Sequence, residues 1–151
     1  MEIKEVTANK KRYLSLLLLA DEQENMIDRY LERGTMFVLT DGGEIKGECV
    51  VTDEGDGILE LKNLAVEPAC HRMGYGKALI EFVAARYRGR YSILQVGTGD
   101  SPLTVPFYER CGFTRSHRVE NFFTEHYDHP IYEGGVLLTD MVYLRRKLST
   151  L

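Results

Sequence analysis

His71-Arg72-Met73-Gly74-Tyr75-Gly76-Lys77 is the stretch on which the reading of this sequence turns. It stands between a run of strand character that ends near Val66 and an amphipathic run, Gly74 to Arg88, with Ala78, Leu79, Phe82, Val83 and Ala85 on one side. Glycines at a strand-to-helix junction let successive backbone N–H groups approach an anion, and the helix N-terminus adds partial positive charge. Arg72 and Lys77 supply full charges, so the segment predicts a phosphate cradle; taken alone, it could equally be a turn eased by two glycines with Arg72 in water. It lacks the G-x-x-x-x-G-K-[ST] pattern of the P-loop and the third glycine of the dinucleotide fingerprint.

On the N-terminal side, Glu2 to Thr7 alternates polar with apolar and reads as a first strand, after which Asn9 is placed to cap a helix carrying Leu14, Leu17 and Leu18. A second helix is expected over Glu22–Glu32, with Met26, Ile27, Tyr30 and Leu31 on one stripe and Gly34 at its end. Met36–Thr40, the turn Asp41-Gly42-Gly43 and Glu44–Thr52 form a hairpin, and the acidic turn Asp53–Gly57 leads into Ile58–Val66. On the C-terminal side, the helix is followed by a β-branched strand, Tyr91–Val96, and a strand–helix–strand unit of this kind implies a parallel pair. A shorter helix ends at Cys111-Gly112 with Pro106 in its first turn, and Phe113–Phe123 and Val136–Leu144 read as two more strands. There is no repeat, linker or low-complexity run, so residues 1–151 are expected to form one α/β domain.

Composition excludes several function classes. With 19 Lys and Arg against 23 Asp and Glu, the net charge of −4 disfavours a broad phosphate-reading surface, and no nucleic-acid partner is expected. The longest apolar run, Leu16–Ala20, is far short of the roughly 20 residues that cross a bilayer. A soluble, cytoplasmic protein without a membrane partner is the expectation. Cys49, Cys70 and Cys111 are odd in number and widely spaced, so neither a disulfide framework nor a zinc site is implied.

The loop resembles motif A of the GNAT N-acetyltransferase superfamily, [Gln/Arg]-x-x-Gly-x-[Gly/Ala], with Gly74 and Gly76 at its glycine positions and His71 where Gln or Arg is usual. Leu64-Ala65-Val66-Glu67-Pro68 is similar to the end of the family's fourth strand, and Phe107-Tyr108-Glu109-Arg110-Cys111-Gly112-Phe113 to its motif B. The resemblance implies a GNAT-like fold, a mixed and mostly antiparallel sheet of six or seven strands flanked by about four helices. It further implies acetyl-CoA as cosubstrate, no metal, and direct attack by a primary amine of a small molecule or peptide. Whether the chain forms a homodimer stays open.

The resemblance also assigns residues. The backbone of Arg72, Met73, Gly74, Tyr75, Gly76 and Lys77 would hold the pyrophosphate, and a bulge would free main-chain amides around Leu64, Ala65 and Val66 for the thioester. Tyr108, four residues before Gly112, would be the general acid for the departing thiolate and would also contact the cofactor. Glu60, mid-strand between Leu59 and Leu61, would be the base, directly or through water, because an amine of pKa near 10 is mostly protonated at neutral pH. A pairing of Glu60 with Lys62 is the structural alternative, as a structural role is for Asn63. The family's pantetheine-holding Asn falls on Gly97-Thr98-Gly99-Asp100-Ser101-Pro102, where Asp100 or Ser101 would stand in.

The segment His126-Tyr127-Asp128-His129 lacks the spacing of a metal site. With Phe122, Phe123, Tyr132, Glu125 and Glu133 it forms either an ordinary loop or an acidic, aromatic lining suited to a cationic amine. The competing function is a non-catalytic acyl-CoA sensor, against which the joint presence of Glu60 and Tyr108 argues.

Overall fold

Successive strand side chains point to opposite faces, and in β2 (Thr35–Asp41) both faces are apolar. Phe37 and Leu39 join one buried cluster and Met36 and Val38 another, so β2 runs between two cores. The same holds for β3 (Glu44–Asp53), whose Cys49 and Val51 face one side and Val50 the other. The molecule, a computed structural model describing residues 1–148, is therefore layered: helix, sheet, helix.

The sheet has seven strands in the order β1-β2-β3-β4-β5-β9-β6. Besides β2 and β3 these are β1 (Glu2–Val6), β4 (Ile58–Val66), β5 (Ile93–Gly99), β6 (Thr114–Val119) and β9 (Met141–Lys147). All neighbours are antiparallel except β4 and β5, joined by the crossover helix α3 (Tyr75–Tyr87). Leu79, Ile80, Val83 and Tyr87 of α3 pack on the face carrying Phe37, Leu61, Leu94 and Leu144. The opposite face is covered by α1 (Leu14–Ala20), α2 (Glu24–Ile27) and the turns that follow it, through Leu17, Ile27, Tyr30 and Leu31. The helix α4 (Val105–Arg110) follows β5, with Pro106 in its first turn as expected.

Departures from the expected elements lie at both ends of the chain. Asn9 takes a left-handed conformation (φ 53°) and makes no side-chain cap; a 3₁₀ turn, Lys10–Tyr13, precedes α1 instead. The second helix is regular only over Glu24–Ile27, although Met26, Ile27, Tyr30 and Leu31 are all buried as the stripe required. The strand expected over Phe113–Phe123 ends at Val119, because left-handed Asn121 (φ 56°), its N–H bonded to Asp140 at 2.9 Å, turns the chain into a fifth helix, α5 (Phe122–His126). The expected strand Val136–Leu144 is divided: Gly134 and Gly135, both with positive φ, turn a small hairpin of β7 (Tyr132–Glu133) and β8 (Val136–Leu137), and β9 begins afresh at Met141.

Glu48 breaks the apolar pattern of β3. It is fully buried opposite Ala65, on the face that carries Val50, and neither carboxylate oxygen has a hydrogen-bond partner. Burial pushes its acid well above the ordinary value of 4.5 and so favours the neutral form in the fold. A carboxyl that binds its proton more tightly folded than unfolded favours the fold less as pH rises above 4.5 towards the folded value. Replacing Glu48 with Gln removes this titration. The melting temperature of Glu48→Gln relative to wild type should therefore rise as the pH is taken from 4.5 to 8, in thermal melts at matched ionic strength; a difference independent of pH would show that Glu48 titrates normally.

Candidate active site between the parting strands

The parallel pairing of β4 with β5 runs from Ile58 opposite Ile93 to Leu61 opposite Val96 and stops there. Against β3, Val51 faces Leu61 and Val50 faces Asn63, so Lys62 is an extra residue in β4, a bulge that bends the strand away. β5 continues to Gly99 along β9. Between the two strands lies a cavity of about 510 Å³, walled by Leu61 to Val66 on one side and Val96 to Gly99 on the other. Its lining includes Leu64 and Val66, which pack toward the α3 face, and Asn63 and Ala65, of the opposite parity, so residues of both sheet faces border it. Gly97 and Gly99 are required on the β5 side, since a Cβ there would stand 2.8 Å from the Tyr143 ring and 2.5 Å from Leu138.

The Gly-rich loop adjoins this opening through His71. The His71 ring nitrogen lies 3.1 Å from the Val66 carbonyl oxygen and clasps the loop to the end of β4. Arg72 and Gly74 have φ of 66° and 87°, turning the chain sharply into α3. The first N–H groups of a helix have no acceptor within it. Arg72, Met73 and Lys77 are exposed, whereas the Tyr75 side chain is buried and donates its hydroxyl proton to Asp41 at 2.8 Å, leaving only its backbone toward the loop. Gly76 serves packing, because a Cβ there would come within 3.1 Å of the Phe107 ring.

Tyr108, on α4, lines the cavity and is 8% exposed. Burial, with Cys111 and Glu133 nearby, raises its phenol above the ordinary value and holds it protonated. Asp100 and Ser101 are not brought to the cavity. Asp100 is exposed and paired with Arg115 and Arg118, both at 3.3 Å. Ser101 is buried, its hydroxyl accepting the Leu103 N–H at 3.0 Å in the turn that starts α4. Gly99, Leu103 and Thr104 stand at the wall instead.

Glu60 is buried on the opposite side of the sheet from α3 and lines a second, smaller cavity of about 270 Å³ rather than the first. Its carboxylate accepts from Gln95 at 2.6 Å and pairs with Lys62 at 2.8 Å, and Gln95 in turn accepts from Arg145 at 2.8 Å. The expected pairing with Lys62 is therefore present. The two cavities share Asp21, Leu61, Lys62, Gly97, Tyr127 and Met141. Of the aromatic tail segment, Phe123, Tyr127, Tyr132 and Glu133 line the larger cavity and Phe122 and Tyr127 the smaller; neither His126, stacked on Phe122, nor His129, bonded to Asp128, reaches either. No group of three or more His, Cys, Asp or Glu among the described residues is arranged to hold a metal ion.

One wall residue escaped the sequence reading: Asp21 stands at the end of α1 and reaches both cavities.

A sheet opened between its two central parallel strands, with a glycine loop leading into the crossover helix, is the arrangement expected from the resemblance to the GNAT superfamily. Residues 32–115 match the acetyltransferase (GNAT) domain family. The chain is 34% identical over 131 residues to the uncharacterised N-acetyltransferase YvbK of Bacillus subtilis (strain 168), covering 85% of this chain and 84% of that protein. It superposes on a GNAT family acetyltransferase from Elizabethkingia anophelis with acetyl-CoA bound (TM-score 0.91, 33% identity, 97% of each chain). It also superposes on a Bacillus subtilis acetyltransferase in complex with CoA (TM-score 0.85, 32% identity, 97% of this chain and 98% of that one). The chain belongs to the GNAT acetyltransferase family and is an acyltransferase. No helix among the described residues is long and apolar enough to cross a membrane.

The positive φ of Gly74 yields a test of the loop. An alanine Cβ at Gly74 meets nothing within 4 Å, so its effect is confined to backbone strain of about 1–2 kcal/mol. Gly74→Ala should weaken CoA binding about tenfold by calorimetry while leaving the sheet intact by circular dichroism; unchanged affinity would remove the loop from the binding site.

Proposed function

We propose that the protein transfers the acetyl group of acetyl-CoA to a primary amine by direct attack, without an acyl-enzyme. The observation that carries this is the opening between β4 and β5, bounded by Tyr108 and by the main chain of Lys62 to Val66, which has no partner on β5. The two relatives with acetyl-CoA and CoA bound, which superpose over 97% of this chain, support the same cosubstrate here.

The fit of this chain to an acyl-CoA follows from its own residues. The turn at Arg72 to Gly74 and the free N–H groups opening α3 suit a pyrophosphate, with Arg72 and Lys77 adding charge. Main-chain groups of β4 beyond Leu61, having no partner on β5, suit a pantetheine amide and a thioester oxygen that gains negative charge. The amine approaches from the α1–α2 side, its lone pair forming the C–N bond as the C–S bond breaks. Tyr108 gives its proton to the departing sulfur. The amine's proton passes through water toward Glu60, whose position behind Lys62 on the second cavity suits an indirect transfer better than a direct one.

In reference values, proton transfer from a phenol to a thiolate is uphill by about 2 kcal/mol. Burial raises the Tyr108 phenol further, but the thiolate enters the same desolvated space and becomes more basic with it. Cys111 is buried with its thiol pushed up by burial, away from the low-pKa thiolate a covalent route needs.

Tyr108→Phe should lower kcat by 10²-fold or more and leave the KM for acetyl-CoA within twofold, measured as thiol release with a panel of primary amines. CoA binding without thiol release from wild type would favour the sensor function, and ping-pong kinetics would exclude direct transfer.

A further inference from the structure

Asp21 is held from two sides. Its Oδ1 accepts the Tyr127 hydroxyl at 2.6 Å and its Oδ2 the Tyr30 hydroxyl at 3.0 Å. The two tyrosines come from opposite ends of the chain, so the carboxylate is fixed in position at the wall between the two cavities. Each carboxylate oxygen can accept more than one hydrogen bond, leaving acceptor capacity on both. Among the described residues no cation forms an ion pair with Asp21: Arg29, whose charge acts on it from a distance, donates to the Met26 sulfur at 3.6 Å, Lys62 pairs with Glu60 and Arg33 with Glu54. An oriented carboxylate without a paired protein cation calls for a cation from outside.

A second, independent observation lies one hydroxyl away. The Asn63 amide donates to the Leu17 carbonyl at 3.1 Å and to the Tyr30 hydroxyl at 3.0 Å. Because a carbonyl can only accept, these contacts fix the orientation of the amide, and Oδ1 is left buried without a partner. Asn63 is 3% exposed and lines the larger cavity. Orphaned buried acceptors are costly and uncommon. An N–H donor arriving in the cavity would satisfy this one.

An alkylammonium has three N–H donors. We infer that Asp21 and Asn63 together bind the amino group of the acceptor, and that the acceptor is a compact primary alkylamine carrying a flat ring lodged in the smaller cavity. Two N–H groups engage the carboxylate and the amide oxygen; the third proton leaves first to solvent, the lone pair it exposes faces the opening between β4 and β5, and a second proton passes through water toward Glu60 as the C–N bond forms. The ring would lie among Tyr30, Phe122, Tyr127, Tyr143 and Met141, which line the smaller cavity together with Arg29, Arg33, Glu60 and Lys62. Glu22 and Glu133 add negative charge along the larger cavity, and burial, with Glu22 beside it, raises the Glu133 carboxyl. The inference rests on the proposed amine acetylation and names its substrate class.

Binding of tryptamine to the CoA-loaded protein, measured by calorimetry at pH 7, tests it. Tryptophol, the alcohol with the same ring and chain, is the control. Wild type should bind tryptamine at least tenfold more tightly than tryptophol, and Asp21→Asn should erase that preference while CoA affinity stays within twofold. Equal affinity of wild type for the two compounds, no binding of tryptamine, or a preference that survives Asp21→Asn would overturn the inference. Should Asp21→Asn fail to fold, the wild-type comparison alone decides. Ammonium-dependent binding without thiol release from acetyl-CoA would sink the proposed transfer and keep the anchor; turnover of tryptamine unaltered in Asp21→Asn would keep the transfer and sink the anchor.

Discussion

Where Leu61 and Val96 share the last parallel pairing, β4 and β5 separate, and the two cavities, the β4 main chain without a partner on β5 and the placement of Tyr108 all follow from that separation. Buried backbone N–H and C=O groups are normally paired, so a sheet that parts in its interior leaves groups that a ligand must satisfy. Three local features hold the strands apart. The extra residue Lys62 bends β4, Gly97 and Gly99 let Tyr143 and Leu138 cover β5 closely, and His71 fastens the end of β4 to the loop before α3. β9 stays paired with β5 along its whole length, so β5 remains straight while β4 leaves.

The distribution of charge follows the same geometry. A net charge of −4 is compatible with the proposed phosphate site because that site would use backbone N–H groups and two basic side chains rather than a basic surface. The larger cavity carries three carboxylates, Asp21, Glu22 and Glu133, against Lys62, whereas the smaller sets Asp21 and Glu60 against Arg29, Arg33 and Lys62.

The central part of the chain was legible from local pattern. The hairpin of β2 and β3, the strand β4, the loop and α3 each carry an unambiguous period or turn signal, and the structure has them where those signals fall. The tail was not legible, because Phe122, Phe123, Tyr127 and Ile131 form a small apolar cluster of their own with Leu138 and Met141 that obeys neither the period of a strand nor that of a helix. Asp100 and Ser101 suited a cofactor contact by type and position, but Arg115 and Arg118, brought back by β6, capture one, and the turn into α4 uses the other. Asp21 was hidden for a related reason: its partners Tyr30 and Tyr127 are separated from it by 9 and 106 residues, and only the closed sheet joins them.

The cavity is lined from both faces of the sheet: β4 contributes Leu64 and Val66 from one and Asn63 and Ala65 from the other. In the proposed transfer a thioester beside α3 and an amine beside α1 would meet across the sheet plane, an arrangement that suits a ternary complex rather than successive visits to one site.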